Sequence, residues 1–583
     1  MCDLIKKTVK CHGCKVAKCS ENCPLHMDIP LICDFVKENK LDEASDILFR
    51  YNPFGYITSV LCDHERQCLG NCIFNSIVYH DIELELSQKY FDKLINYPTK
   101  LIDKGILIVG GGIAGLTIAH YLLKQGITCT IIEKNKLGGI IESAIPDFRF
   151  DNSYLIKHIR KIKSLVNIVH EELNENNIEL LNNYKHVVFS TGAPLQNESL
   201  KSEYLVKGID LLEDYKLGKC SIKNSKVLVI GLGNTACDVA RTLKRLNNDV
   251  TIIYRRDIES SPASKHELNL LVEEGINFEF QVSPVDIKRN HKLSLITHIN
   301  ELIEIPGKAR KEIRETLDEK IFDCDYVVDA TGSRVDDSLL KLFLKDEYDD
   351  YLSFKKENRD VKFYFTEKVS VCGDGYYGAW NIAQAINSGI NVVKKLNPTY
   401  LFGGSFNPVT IAHSVILNKL SKMGNVIVAP NGDNYELKDL VPFNQRVEML
   451  KLEIEDNENI TISDLEHKRP FRGTIETLRY YNHPIMVIGD DCLLGLNRWI
   501  SAKRLIEENK FLVFSRNLSI EEINNFIKND ELLSNYKNHF EIVDILTEEE
   551  KKLSSTNYRV NKNCDNISQK VKEYIVNNKL YEV

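Results

Sequence analysis

The sequence predicts an α/β protein of several units, a small helical domain followed by parallel sheets covered on both faces. Length is the first observation: 583 residues at roughly 100–200 per domain make three to five compact units. The second is texture. From Gly105 onward, apolar runs alternate with helical patterns: ILIVGGGIAG, TCTIIEK, HVVFSTG, KVLVIGLGNTA, DVTIIYRRD, DYVVDATG and VSVCGDG. Continuous Val/Ile strands separated by helices belong to parallel sheets buried on both faces. The third is a pair of Gly-rich strand-to-helix turns about 120 residues apart, and then another βα pattern, TYLFGGSFNP, after the polar stretch KKLNPT. Two such turns mean two nucleotide-binding folds rather than one.

Composition narrows the function classes. With 43% hydrophobic and 27% charged residues, the chain has material for several cores and is not generally disordered. A net charge of −8 gives no electrostatic case for nucleic acid or membrane partners. MCDLIKKTVK lacks an apolar secretory core, so a cytoplasmic location is expected. The apolar window Gly105–Leu123 contains Gly110, Gly111, Gly112 and Gly115 and reads as strand, turn and helix, not as a membrane span.

The first stretch, residues 1–104, has short helical patterns and a dense set of cysteines, nine of the chain's 16 within 72 residues. In a reducing compartment such density points to metal more than to disulfides. Cys11, Cys14, Cys19 and Cys23 are spaced C-x2-C-x4-C-x3-C and followed by Pro24, while Cys62, Cys68 and Cys72 are spaced C-x5-C-x3-C. In ferredoxin-like runs ending in Cys-Pro the last cysteine serves the second cluster. Zinc is the competing assignment, though seven cysteines in two groups exceed one zinc site. Cys2 and Cys33 fall outside the pattern and read as plain thiols.

The first Gly-rich turn, Gly110-Gly111-Gly112-Ile113-Ala114-Gly115, follows ILIV and opens a helix, and Glu133 ends the next strand. Glycines there let the backbone approach a pyrophosphate at the helix N-terminus, and the acid accepts from a ribose hydroxyl. The second, Gly231-Leu232-Gly233-Asn234-Thr235-Ala236, leads to a strand ending in Tyr254-Arg255-Arg256. Where an NAD site carries an acid, this pair of cations suits the 2′-phosphate of NADPH. Thr191-Gly192 and Thr331-Gly332 bracket this second fold. Expected boundaries are therefore 105–215 and 325–398 for the two parts of the first fold, 216–324 for the inserted one, and 399–583 for the last unit. Cys237, Cys324 and Cys372 lie in apolar βα patterns and read as core residues.

CHGCKVAKCSENCPLHMDIP resembles the cluster signature of the bacterial glutamate synthase small subunit and its relatives, FAD- and iron–sulfur-containing NADPH oxidoreductases. The resemblance implies a helical iron–sulfur domain with two [4Fe–4S] clusters of crossed ligation: Cys11, Cys14, Cys19 and Cys72 for one, Cys23, Cys62 and Cys68 for the other. In some relatives a Gln or Glu on the following helix is the fourth ligand, and Gln88 in ELSQKYFDKL stands at the matching place. It also implies that FAD occupies the first dinucleotide fold, because Gly138-Gly139 and Ile145-Pro146 follow the glycine motif and VSVCGDG places Asp374 for the flavin ribityl chain.

The C-terminal unit resembles the nucleotidyltransferases, and among them the bacterial nicotinate-mononucleotide adenylyltransferases. Gly403-Gly404-Ser405-Phe406-Asn407-Pro408 through His413 is followed in order by VPFNQRVEMLKL, KRPFRGTIETL, VIGDDCLLGLNRW and LSSTNYR. A nucleotidyltransferase Rossmann-like fold is implied, with Gly404, Ser405 and Phe406 in the substrate loop. Adenylyl transfer needs positioning and charge neutralisation more than covalent work. His413 would donate to the phosphates of ATP, which enters with Mg²⁺, and Ser554, Ser555, Thr556 and Arg559 would add donors at a helix start. Trp499 would stack on the pyridine ring and Asp491 would bind nucleotide or order its loop. Three departures stand out: Thr410 in the first His position, Ala412 for Gly, and NGDNYELKD for the usual Pro-Pro-His-Lys segment, which leaves Lys438 as a doubtful phosphate contact.

The expected function is bifunctional: electrons pass from NADPH through FAD to 4Fe–4S clusters, and adenylyl passes from ATP to a pyridine mononucleotide. Partners are then small molecules and a protein electron acceptor. The competing reading is an electron-transfer subunit with a nucleotide-sensing C-terminal domain.

Overall fold

The computed structural model describes residues 2–14, 16–74, 78–306, 311–434, 439–455, 457–469, 471–561 and 564–581. The chain divides into two compact units, Met1–Val392 and Val393–Val583. Among the described residues, no helix is long and apolar enough to cross a membrane.

The first unit opens with short helices, including Ile29–Lys37, Leu41–Tyr51, Gly55–Leu61 and Tyr79–Lys89. Asp28 caps the first of these by accepting from the Leu31 N–H at 3.1 Å, and its apolar face, Ile29, Ile32, Cys33 and Val36, is fully buried. Capping and an apolar stripe together make so short a helix persist.

Next comes a six-stranded sheet in the order Tyr364–Phe365, Val369–Val371, His186–Phe189, Ile102–Val109, Ile127–Ile132, Asn167–Val169. It is parallel except for its first edge strand. A second, wholly parallel sheet runs Leu205–Lys207, Tyr326–Asp329, Lys226–Ile230, Asp249–Tyr254, Asn277–Phe280. It is inserted into the first sheet's chain path, and the two crossings pair antiparallel at Leu195–Gln196 and Ser333–Arg334. A three-stranded antiparallel sheet, Val282–Arg289, Leu293–Ile303 and Glu312–Cys324, is not anticipated by the sequence reading. Its Leu293, Leu295 and Cys324 pack with Leu228, Ile230 and Ile253, so it covers one face of the second sheet where a helix would otherwise lie.

A buried polar network joins the helical segment to the first sheet's helices. Tyr97 Oη lies 2.9 Å from His120 Nδ1 and 3.0 Å from His158 Nε2, and Tyr56 Oη lies 3.1 Å from His158 Nδ1. The two imidazoles are 3.0 Å apart, so one donates and the other accepts. Burial lowers His158 to about 3 and takes His120 well below its ordinary range. Both are therefore neutral in the fold but protonate in the unfolded chain below about pH 6.5. The unfolded state then binds more protons, and stability falls as pH falls, by about 1.4 kcal/mol per unit for each imidazole. Urea unfolding followed by Trp380 emission in a Trp499→Phe background should show this slope between pH 6.5 and 4.5, and His158→Gln should remove about half of it.

The second unit holds a six-stranded parallel sheet in the order Ile460–Ile462, Asn425–Pro430, Thr399–Gly404, Ile485–Gly489, Phe511–Phe514, Phe540–Val543. Alternate residues of the central strand face opposite cores: Phe402 packs with Leu417, Val428 and Met449, and Leu401 with Leu478, Met486 and Leu505. The strand order reverses between Thr399–Gly404 and Ile485–Gly489, and the crevice at such a reversal is where open α/β sheets bind ligands.

Candidate functional site

At the first Gly-rich turn, Gly110 has φ 101° and its Cβ would stand 2.5 Å from the Ser190 carbonyl, while a Cβ on Gly115 would meet the Gly110 carbonyl at 2.1 Å. These two positions admit only glycine because strand, turn and helix touch there. A Cβ on Gly112 would meet nothing within 4 Å, so this glycine faces open space through which a ligand can approach the backbone. Glu133 accepts from the Gly111 and Asn135 N–H groups, both at 2.7 Å. The Gly138-Gly139 turn folds onto the same place, with Gly138 N–H donating to the Gly111 carbonyl at 2.8 Å.

The distant Asp374 arrives there too. A Cβ on Gly373 would lie 2.9 Å from that of Ala114, and one on Gly389, in the helix after Asp374, would lie 2.9 Å from the Ala114 carbonyl. Burial pushes the Asp374 carboxyl up to about 6, against the N–H of Trp380, and its Oδ1 is buried with no hydrogen-bond partner among the described residues. An unpartnered buried acceptor beside an open glycine backbone fits a hydroxyl-bearing dinucleotide, since leaving it unmet is costly.

The second turn repeats the first: Gly231 has φ 113° and its Cβ would meet the Ala330 carbonyl at 2.6 Å. Ala236 is fully buried. Asn234 Oδ1 accepts from the Ser264 N–H at 3.3 Å, and Thr235 is partly buried beside it. Arg255 is exposed at the strand end. Arg256 Nε instead donates to the Lys311 carbonyl at 3.2 Å, so the two arginines are not equivalent. Arg149, from the stretch after Ile145-Pro146, reaches Asp238 at 2.5 Å and Glu267 at 3.2 Å, tying the two nucleotide folds by buried charge.

The cysteines of the helical segment fall into two neighbourhoods. Cys19 lies within electrostatic reach of Cys11 and Cys72, and Cys62 within reach of Cys23 and Cys68. Cys33 is buried against Cys11. Among the described residues, no three His, Cys, Asp or Glu converge as a single-ion site; a cubane holds its thiolates around a larger body. Cys14 is partly buried on the loop between Cys11 and Cys19. Gln88 is exposed on the last turn of Tyr79–Lys89. One turn and a half earlier, Glu83 is buried, accepts from Asn52 Nδ2 at 2.8 Å and Thr58 Oγ1 at 3.0 Å, and acts on Cys23, Cys62 and Cys68. Burial pushes its carboxyl up to about 7. The sequence reading misses Glu83, whose only signal is its place on the helix's buried face.

In the second unit, Thr410 and His413 form a reciprocal cap on the helix Ile411–Met423. The Thr410 N–H donates to His413 Nδ1 at 3.0 Å, which leaves the imidazole proton on Nε2. Burial, with the charge of Arg516, lowers His413 to about 4. The segment Ser554–Arg559 is drawn to the same loop: Ser555 Oγ donates to the Pro408 carbonyl at 2.7 Å, Arg559 bonds the Asn407 carbonyl, and Ser554 Oγ accepts from the Asn557 N–H at 3.0 Å. Thr556 is exposed and accepts from Arg559 at 3.3 Å. Gly404 and Ser405 stand at the strand end, Ser405 Oγ donating to Asn431 Oδ1 at 3.1 Å. Phe406 is buried between Phe402 and the His413 ring, so its side chain supports the loop.

Two residues without a sequence-level role organise this site. Arg446 is fully buried and donates to the carbonyls of Val441, Ser405 and Asn431, knitting the GGSFNP loop to the next strand's end. Asp490, also fully buried, accepts the N–H groups of Arg516, Asn517 and Leu518 at 2.9, 2.6 and 2.7 Å. It thereby orders the neighbouring loop, while Asp491 is exposed. Trp499 is partly buried against the core beneath Leu401 and Met486. Lys438 lies outside the described residues.

Comparison with known proteins follows the same partition. Residues 2–96 match the dihydropyrimidine dehydrogenase domain II, 4Fe-4S cluster family, residues 104–389 the pyridine nucleotide-disulphide oxidoreductases, and residues 401–561 the cytidylyltransferase-like family. The NADPH-Fe(3+) oxidoreductase subunit beta of Geobacter sulfurreducens is 30% identical over 350 residues, 56% of this chain and 52% of that one; the chain spans about half the length of this relative. The glutamate synthase [NADPH] small chain of Escherichia coli is 27% identical over 358 residues, 56% of this chain and 76% of that one. Among solved structures, the Plasmodium falciparum nicotinic acid mononucleotide adenylyltransferase complexed with NaAD is 22% identical with a TM-score of 0.28, covering 32% of this chain and 97% of that one. The chain thus joins a 4Fe-4S domain of the dihydropyrimidine dehydrogenase type and a pyridine nucleotide-disulphide oxidoreductase domain, both with glutamate synthase small-chain homologues, to a C-terminal cytidylyltransferase-like domain of the nucleotidyltransferase superfamily.

Proposed function

We propose that the first unit carries electrons from NADPH through FAD to two [4Fe–4S] clusters, and that the second transfers adenylyl from ATP to nicotinate or nicotinamide mononucleotide. The observation that carries the first half is the unpartnered Asp374 carboxylate oxygen set against the open Gly112 backbone. When bound, the flavin takes two electrons as hydride and releases them singly. The chain's residues hold it: Gly110, Gly112, Gly115 and Gly139 admit the pyrophosphate, Glu133 meets the ribose, and Asp374 meets the ribityl hydroxyls. Titrating anaerobically purified protein with NADPH tests this reading. Flavin absorbance should bleach, and failure to bleach overturns it.

Gly231, Gly233, Asn234, Thr235 and Ala236 open the helix that would receive NADPH. Arg255, exposed at the strand end, is the group for the 2′-phosphate, while Arg256 is engaged with the Lys311 carbonyl. A charge-assisted pair of this kind contributes about 1.5–3 kcal/mol, or roughly 10- to 100-fold in affinity. Arg255→Ala should raise the KM for NADPH by that factor and leave NADH nearly unchanged; equal loss with both nucleotides in flavin reduction would reassign the residue.

Cys11, Cys14, Cys19 and Cys72 hold one cluster in this reading, and Cys23, Cys62, Cys68 and Glu83 the other. In the second unit, the mononucleotide phosphate attacks the α-phosphorus of ATP, the new P–O bond forms as the bond to the β-phosphate breaks, and pyrophosphate leaves. His413, neutral and protonated at Nε2, donates to the departing phosphates. Arg559 and the Ser554–Thr556 hydroxyls add donors, and Trp499 and Asp491, both on the segment after the strand Ile485–Gly489, are the residues assigned to the pyridine nucleotide.

A further inference from the structure

Arg66 lies between Cys62 and Cys68 in the cysteine loop, yet its guanidinium is engaged with the second nucleotide fold, 195 residues further along the chain. Nη1 donates to the Pro262 carbonyl at 2.9 Å and Nη2 to the Ser261 carbonyl at 3.1 Å. Asp63 orients the same residue: its Oδ1 accepts the Arg66 N–H at 3.2 Å, and its Oδ2 stands 3.5 Å from Nη1. A planar fork on two successive carbonyls fixes a loop in direction as well as in position, which a point charge would not do.

The clasped loop is a wall of the second Gly-rich turn. Ser261 is buried; its Oγ donates to the Leu232 carbonyl, inside that turn, at 2.7 Å and accepts the Ala263 N–H at 3.1 Å. The Ser264 N–H donates at 3.3 Å to Asn234, the first residue of the helix Asn234–Arg245. A Cβ on Gly233 would meet Pro262 Cγ at 3.7 Å, an ordinary contact distance, whereas one on Gly112 meets nothing within 4 Å. The first turn therefore faces open space, and the second faces this loop. Only two hydrogen bonds separate Arg66 from the turn, its own to the Ser261 carbonyl and that of the Ser261 hydroxyl to Leu232.

We propose that Arg66 is a positioning residue of the NADPH site: by clasping Ser261 and Pro262 it holds their loop against the Gly231–Asn234 turn, so that nucleotide affinity depends on a side chain of the cysteine loop. The inference deepens the reading of the second fold as the NADPH site and rests on it. Arg66 acts through Ser261 rather than on the nucleotide. Without the clasp the loop gains conformational freedom that binding must remove again, which raises Kd and leaves the hydride step alone. The guanidinium is half exposed, so the effect is that of a partly screened charge-assisted bond, about 3- to 10-fold in affinity.

Calorimetric titration of the oxidised, FAD- and iron-loaded full chain with NADP⁺ reads the affinity without turnover. Arg66→Ala should raise Kd by about 3- to 10-fold with iron and flavin content unchanged. Arg66→Lys keeps a charged donor and should raise it less, which guards against a general disturbance of the cysteine loop. In NADPH-driven ferricyanide reduction, KM should rise by the same factor while kcat changes little, and KM for NADH should rise alongside, unlike the effect of Arg255→Ala. Ser261→Ala cuts the next link and should raise Kd comparably; the double change should raise it by less than the product of the two, because both act along one path. An unchanged Kd in Arg66→Ala, a tighter one, which would make the loop a lid over the turn, a loss confined to NADPH, which would put Arg66 on the 2′-phosphate, or a fully multiplicative double change would each overturn the proposal. If the unaltered protein binds no NADP⁺, the NADPH reading of the second fold falls and takes this inference with it; if it binds NADP⁺ and Arg66→Ala binds as tightly, this inference alone falls.

Discussion

His413→Ala is expected to lower dinucleotide formation from ATP, Mg²⁺ and a pyridine mononucleotide by about 100- to 1,000-fold in turnover, the effect of deleting one preorganised donor to developing negative charge. The geometry gives the reason. The Thr410 N–H occupies His413 Nδ1, so the donor is Nε2–H, and a group lowered to about 4 stays neutral across the working range. Protonation below about pH 5 would turn Nδ1 into a donor facing an N–H and break the cap, so activity should fall on the acid side and show no imidazole step near 6.5. Thr410→Ala should have a smaller effect, since it costs the helix about 1 kcal/mol of capping but leaves the imidazole donor. NADPH-driven flavin reduction should be unchanged in both variants. If the unaltered protein makes no dinucleotide from either mononucleotide, the NGDNYELKD segment has disabled the site and the C-terminal unit is a nucleotide sensor.

The parallel sheets and both dinucleotide turns were legible because their requirements are local. Gly110, Gly115 and Gly231 must lack a side chain where strand, turn and helix touch, and that need is written at fixed spacing. The cap of Thr410 on His413 is equally local, but the sequence reading took the two residues only as positions of the binding motif. Glu83, Arg446 and Asp490 were not legible, because each is defined by partners from other elements: Asn52 and Thr58 for Glu83, three loop carbonyls for Arg446, and the N–H groups after a later strand for Asp490. A charged residue in a helical pattern reads as a solvated face unless those partners are seen. Phe406 shows the reverse error: its motif invites a substrate role, while its ring packs inward against Phe402 and His413. The antiparallel sheet of residues 282–324 escaped for another reason. Its strand Glu312–Cys324 is mostly exposed and lacks the apolar alternation by which a strand is recognised.

Iron analysis of anaerobic protein should give about eight iron per chain, and Cys11→Ala and Cys62→Ala should each remove about four while FAD is retained. Zinc in place of iron would end the cluster reading. The sharper expectation concerns the fourth ligand beside Cys23, Cys62 and Cys68. A buried carboxylate to which the described residues make no ion pair is costly unless something cationic meets it, and Glu83 is such a group, with neighbouring thiols on one side and Asn52 and Thr58 on the other. Iron held by the neighbouring thiolates would supply that missing charge. Glu83→Ala should therefore lose about four iron, whereas Gln88→Ala, on an exposed turn, should keep all eight. Because Glu83→Ala also strips two hydrogen bonds, Asn52→Ala is the control: it breaks the same network at a cost of about 1–3 kcal/mol and should keep its iron. Loss of iron in Gln88→Ala with retention in Glu83→Ala would return the ligand to the later turn, and equal loss in Asn52→Ala and Glu83→Ala would make Glu83 a structural carboxylate alone.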